Sequence, residues 1–110
     1  MTAINALSNR AHNICELTNE LCSIDDVPED IKNVNKNIYE LSDNPDDMSM
    51  YHSICDLQEK IWRFAKKATT EAAKKIANSI YNACSYFKKC FRKCVYTVRS
   101  FKTLNVTYVI

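Results

Sequence analysis

The chain has 110 residues, within the usual size of one domain, and its longest uncharged run, residues 76–87, is too short for a membrane span. Nothing in these features suggests a second module, and we expect no transmembrane helix. The formal net charge of +2 hides an asymmetry: residues 1–60 carry 4 Lys/Arg against 12 Asp/Glu, and residues 61–110 carry 11 against 1. Two alternatives stay open: the two halves attract one another, or the basic second half binds an anionic partner.

The composition predicts an all-α fold, because the chain contains no glycine and only two prolines to interrupt helices. A first helix is predicted at about residues 2–22, where apolar side chains recur at three- and four-residue spacing. Pro28, followed by Glu29 and Asp30, predicts a second helix at 28–42. Proline lacks only an N–H that is unpaired at a helix start, and acidic side chains favour the positive end of the helix dipole.

The segment SDNPDD repeats this start signal, with Pro45 at the first helical position and acidic residues after it. No residue forces a stop over the next ~58 residues, and a continuous helix of that length would be ~87 Å long. Because this is too long for a compact chain, two alternatives stay open. Either a break capped by Thr69 or Thr70 gives helices at 45–68 and 70–102, or one long helix is buried in an oligomer.

The last residues, 103–110, are rich in β-branched and aromatic side chains, which predicts a short extended tail. The predicted architecture is a bundle of three to four helices in a single domain over 1–110. Within it, an acidic half spans 1–60 and a basic amphipathic helix spans 61–102.

Catalytic and export motifs are both missing from this sequence. It has no Gly-rich phosphate loop and no nucleophile motif, so we expect no enzymatic activity and no cofactor. The first residues lack the basic region and continuous apolar core of a secretory signal, which predicts an intracellular, cytoplasmic location. In that compartment the six cysteines are expected to be reduced thiols.

A short motif, His-x-Ile-Cys-acidic-Leu, occurs twice in the chain. Helical spacing places His12 beside Cys15 and His52 beside Cys55, and these four side chains have the chemistry of a Cys2His2 zinc site. On a helical wheel, however, the histidines lie well to one side of the apolar stripe. In an up-and-down bundle the two edges then point to opposite sides. We therefore favour core packing by the motif's Ile and Leu, with zinc as the alternative.

The functional prediction comes from the segment Ile61 to Lys102, where cations and apolar side chains occupy opposite sides of a helical wheel. Such a stripe can bind nucleic-acid phosphates, and a rigid cationic helix suits duplex RNA, which is recognised largely by shape and backbone. No base-reading motif accompanies it, so binding should tolerate any sequence. Three tyrosines, at positions 81, 86 and 96, are candidates for base stacking or for packing. The predicted phosphate contacts are Arg63, Lys67, Lys74, Lys88, Lys89, Arg92 and Arg99.

Two other interpretations of this basic helix stay open. One is a helical protein-interaction or structural module, in which the charged face is solvated or is neutralised by the acidic helices. The other is peripheral binding to an anionic membrane surface, with acylation of Cys90 or Cys94 as an anchor.

In size and shape, a short all-helical chain with a basic helix resembles the small dsRNA-binding silencing suppressors of insect nodaviruses. The resemblance covers architecture and no residue pattern. It implies a small viral or accessory regulator that acts on duplex RNA as a homodimer. A homo-oligomer with nucleic acid or a partner protein as ligand is therefore the expectation from the sequence.

Overall fold

The computed structural model describes the backbone of residues 3–109 and the side chains of residues 4–94. These residues form four helices and no strand, so the predicted all-α bundle is confirmed over the part of the chain described. The helices are α1 (Ala3–Ile24), α2 (Glu29–Leu41), α3 (Met48–Lys67) and α4 (Glu71–Val109).

The four helices form an up-and-down bundle in which each helix packs against its neighbours in the chain, and α4 closes the bundle against α1. The α1–α2 seam and the α3–α4 seam therefore lie on opposite edges of the bundle. The longest dimension of the structure, 58 Å, is the length expected for α4 at about 1.5 Å per residue. Over the residues described, none of the helices is long and apolar enough to cross a membrane.

The core forms where apolar side chains recur on the inward side of each helix, and burying them is the main favourable contribution to folding. Phe87 is the largest side chain that is fully buried. The other core residues include Leu7, Ala11, Ile14, Leu21, Ile31, Val34, Ile38, Met50, Ile54, Leu57, Ile61, Ala73, Ala77, Ile80, Cys84 and Phe91.

The chain breaks between α3 and α4, which decides between the two alternatives left by the sequence. Ala68 has an extended backbone, with φ −62° and ψ 137°. The hydroxyl of Thr70 then accepts a hydrogen bond from the N–H of Ala73 at 3.2 Å, the geometry of a helix N-cap. At the break the chain reverses direction, so α4 packs antiparallel along α3 and buries a side that is set by this packing. As a result, Ala77 and Cys84 are fully buried in α4, whereas Ile76, on the apolar side of a single continuous helix, is only partly buried.

The predicted start of the third helix at Pro45 is wrong by three residues, because α3 begins at Met48. Asp47 provides the cap instead, since its carboxylate accepts a hydrogen bond from the N–H of Ser49 at 2.8 Å. This bond stabilises the ionised carboxylate and lowers the pKa of Asp47. Pro45 lies in the preceding turn.

The predicted extended tail at 103–110 also differs from the structure, because α4 continues to Val109; Ile110 lies outside the described residues. Once a helix exists, each added residue gains a hydrogen bond at little further cost. The β-branched residues of the tail lower helix propensity by only a few tenths of a kcal/mol each, and neither glycine nor proline occurs there to stop the helix.

We expect Thr70→Ala to lower the free energy of unfolding by about 1 kcal/mol, because an orphan N–H at the start of α4 loses its capping oxygen. Thr69→Ala, next to it and exposed, is the matched control and should change stability by less than about 0.5 kcal/mol. Urea unfolding followed by circular dichroism measures both variants. Equal effects of the two substitutions would contradict the cap.

Candidate nucleic-acid interface

A buried glutamine joins α3 to the basic helix α4. Gln58 is only 7% exposed, and its side-chain amide donates to the carbonyl oxygen of Tyr81 at 3.1 Å and to the hydroxyl of Ser85 at 2.6 Å. Its amide oxygen accepts a hydrogen bond from the ammonium of Lys88 at 2.9 Å. Lys88 is thus held at the α3–α4 seam by an uncharged group.

The next cation along the seam is held in the same way. Arg92 donates two hydrogen bonds to the hydroxyl of Tyr51, at 3.2 Å from Nε and 2.8 Å from Nη2. The Tyr51 ring packs against Phe91, with 5.1 Å between ring centroids, which fixes the direction of the hydroxyl. The guanidinium carbon lies 5.8 Å from the Tyr51 ring centroid, within the range of a cation–π contact.

Four cations lie within two turns of α4, and we call Lys88, Lys89, Arg92 and Lys93 the α4 cation cluster. Lys88 with Arg92, and Lys89 with Lys93, are like-charged pairs four residues apart. Such pairs destabilise a helix by a few tenths of a kcal/mol each. A surface that retains this repulsion is suited to an anionic partner, because the partner relieves it.

Nearer the start of α4, Lys74 lies 3.8 Å from the carboxylate of Glu71 and is half exposed. It is about 21 Å from Lys88 along the helix axis, since fourteen residues separate them. Lys74 and the α4 cation cluster therefore extend along one rigid element.

The remaining predicted contacts fall elsewhere. Arg63 is paired with Glu59 on the surface of α3, and with Lys67 it lines a shallow depression that also contains Asp30 of α2. Because α4 runs back along α3, these two cations lie toward the start of α4 and away from the α4 cation cluster. The side chain of Arg99 lies outside the described residues.

The tyrosines proposed for base stacking have different surroundings. Arg10 of α1 lies over the Tyr86 ring at 3.9 Å from its centroid and donates to its hydroxyl at 3.2 Å, so Tyr86 packs at the α1–α4 seam. Tyr81 is exposed beside the α3–α4 seam. Tyr96 lies outside the residues whose side chains are described.

Sequence reasoning missed the two residues that orient the cations, Gln58 and Tyr51. Both contacts join α3 to α4 across many residues of sequence, and helical periodicity carries no information about such pairs. One signal was present, because Gln58 lies between Leu57 and Ile61 at an inward position of the apolar stripe. A polar residue there needs buried partners.

The side chains of the two histidine–cysteine motifs make different contacts. His12 shares a 3.0 Å hydrogen bond with the hydroxyl of Ser42, and Cys15 donates weakly to the carbonyl of Asn35 on α2 at 3.7 Å. His52 instead packs edge-on beside Tyr51. Cys15 and Cys55 are both close enough to Cys84 of α4 to raise the pKa of its thiol.

Among the residues described, no three His, Cys, Asp or Glu side chains are grouped as a metal site would require. Ile14, Ile54 and Leu57 of the motif are fully buried, as the packing interpretation predicts, whereas Leu17 is only partly buried.

Comparisons with models of protein families, with curated proteins and with solved structures yield no match. The geometry of the α3–α4 seam is therefore the basis for the functional argument. The cysteines of the core are unreactive as nucleophiles. Burial raises the pKa of the Cys15 thiol to about 11, so it remains a neutral thiol. Burial also raises the pKa of Cys84 to about 12, an effect larger than the opposing one of Lys88.

Cys15 and Cys84 should resist alkylation by iodoacetamide at pH 8 in the folded protein. Only about one Cys15 thiol in a thousand, and one Cys84 thiol in ten thousand, is a thiolate at that pH. Peptide mass spectrometry should find both unmodified until urea unfolds the chain, when both react fully. Rapid labelling of Cys84 without denaturant would show that the core is open.

Proposed function

We propose that this protein binds nucleic acid in a sequence-tolerant manner, with duplex RNA as the preferred ligand, through the α4 cation cluster and Lys74. The observation that carries the proposal is the pair of uncharged partners, the Gln58 amide and the Tyr51 hydroxyl, that hold Lys88 and Arg92. These partners restrict the two side chains without neutralising them. Less rotamer entropy is then lost when a phosphate binds, and the full positive charge is retained.

The type of contact supports backbone recognition over base reading. Lysine and arginine attract phosphates whatever the base sequence, and phosphate contacts supply most of non-specific affinity. The cations lie along a straight helix, which matches a regular duplex better than a flexible single strand. RNA duplexes are recognised by shape and backbone.

The burial of the apolar side of α4 argues against the membrane alternative. Phe87 and Phe91, which would have to enter the lipid interface, are 0% and 2% exposed inside the bundle. An amphipathic helix binds a bilayer through its apolar side. Over its described side chains, α4 instead offers cations to the solvent, which favours a polyanion in water.

We also propose that the protein forms a homodimer and acts as a small viral or accessory regulator, as the sequence suggests. Arg92 is level with Tyr51, near the start of α3, and the backbone of α4 continues from residue 95 to Val109. These turns add about 22 Å of helix beyond that level. We propose that a second copy of the chain packs against this part of α4. Light scattering tests this by measuring the molar mass in solution, which should be that of a dimer.

The test is binding to a 20-base-pair RNA duplex, the matching DNA duplex, single-stranded RNA and anionic liposomes across a salt series. We expect duplex binding that weakens steeply with salt. Lys88→Ala/Arg92→Ala should weaken it about tenfold to a hundredfold and reduce the slope of log K against log salt by about two, because two phosphate contacts are lost.

The control is Lys32→Ala/Lys36→Ala, which removes the same charge at the same four-residue spacing from α2. It should leave the salt slope nearly unchanged. An equal loss in both double variants would mean that net charge alone attracts the ligand. Indifference to every ligand would leave a protein-interaction module, and preference for liposomes would restore the membrane alternative.

A further inference from the structure

The α1–α2 seam contains a cavity on the edge of the bundle opposite the α4 cation cluster. Small and polar side chains of α1, Cys15 and Asn19, face Asn35 and Tyr39 of α2 there, where larger apolar residues would have closed the seam. The cavity volume is about 490 Å³. Sites for small molecules typically measure about 300–1,000 Å³, so the cavity is large enough to hold one.

Asn35 supplies the polar feature that points to a ligand. The residue is 9% exposed, its amide nitrogen donates to the side-chain oxygen of Asn19 at 3.0 Å, and its backbone carbonyl accepts from the Cys15 thiol. Its side-chain oxygen is buried and accepts no hydrogen bond from the groups described. Buried acceptors are almost always paired, and an unpaired one costs free energy that a donor from a ligand would recover.

A donor in the cavity reaches this oxygen when the Asn35 amide turns about its terminal torsion, which is broad in asparagine. The turn exchanges the hydrogen bond that its nitrogen donates to Asn19 for the one to the ligand. The thiol beneath it does not compete, because Cys15 remains a neutral thiol and donates to the Asn35 carbonyl.

The rest of the lining selects for a negative charge and a flat group. Lys32 and Lys36, one turn apart on α2, line the cavity, and Lys32 has only a long 3.9 Å ion pair with Glu29. Tyr39, one further turn along α2 and 64% exposed, offers its ring as a wall. Glu16 lies at the end of the seam beside His12, so an anionic group fits at the lysine end.

We propose that the α1–α2 cavity binds a small organic carboxylate that carries an amide N–H and a planar ring. The carboxylate contacts Lys32 and Lys36, the N–H donates to the side-chain oxygen of Asn35, and the ring packs against Tyr39. This site is independent of nucleic-acid binding, because the two surfaces lie on opposite edges of the bundle.

N-benzoylglycine is the probe, because it combines the three groups in one small molecule. It should cause saturable shifts at the Asn35 side-chain amide and the Asn19 backbone amide in ¹H–¹⁵N spectra of the full-length protein. N-benzoyl-N-methylglycine, which lacks the N–H, should bind about fivefold to tenfold more weakly. The methyl ester, which lacks the charge, should also bind more weakly.

Two variants separate the contacts. Asn35→Ala should abolish the preference for the N–H compound. Lys36→Gln, at an exposed position that folding tolerates, should weaken binding about threefold or more but keep the preference. Lys89→Gln, on the other edge of the bundle, is the control and should change neither the affinity for N-benzoylglycine nor the preference for the N–H compound. Equal affinity of the unmodified protein for both compounds, or no shift at Asn35 up to 10 mM probe, would overturn the proposal whatever the outcome with RNA.

Discussion

The interaction on which the proposed nucleic-acid surface depends is the set of hydrogen bonds made by the buried side chain of Gln58. Burying an amide is costly unless its donors and acceptor are paired. Here both donors and the acceptor have partners on α4, from the Tyr81 carbonyl to the Lys88 ammonium. The glutamine therefore sets the position of α4 along α3, and it orients Lys88 without cancelling its charge.

The contact between Arg92 and Tyr51 continues this arrangement toward the start of α3. The hydroxyl is polar enough to orient a guanidinium but carries no charge to neutralise it. A carboxylate in either place would have made a local ion pair, as Glu59 does for Arg63. This difference distinguishes Lys88 and Arg92, which keep their full charge, from Arg63, and it is why we place the proposed phosphate contacts around the first two.

Much of the fold could be predicted from the sequence, because helix periodicity and capping are local properties. The inward positions of α1, α2 and α3 follow their three- and four-residue spacing, and Thr70 was one of two candidates for the cap after the break. The predicted start of α3 is three residues early because Asn44, just before Pro45, and Asp47 are both residue types that favour the helix N-cap, and the difference between them is small. The helical end of α4 was missed because the β-branched and aromatic residues of 103–109 favour an extended backbone only weakly. Continuation of the existing helix outweighs that preference.

The candidate site was less predictable, because it depends on contacts between helices. A wheel drawn through one continuous helix places Arg63 and Lys67 with Lys88 and Arg92. The chain instead reverses direction at the break, and the antiparallel packing of α4 on α3 separates the two pairs. The partners of the cations, Gln58 and Tyr51, lie 30 and 41 residues away in the chain. The unpaired oxygen of Asn35 is likewise a result of how α1 meets α2, a relation that neither helix encodes alone.

The measurement that tests the central claim most directly is a map of the surface that meets a nucleic acid. A ¹⁵N-labelled protein is titrated with a short RNA duplex, and the amide shifts are recorded for each residue. The uncharged anchoring of Lys88 and Arg92 predicts shifts concentrated on the outer side of α4 between Lys74 and Cys94 and at Tyr51, with α1 and α2 unchanged. Shifts centred on the α1–α2 seam, or none at saturating duplex, would contradict it.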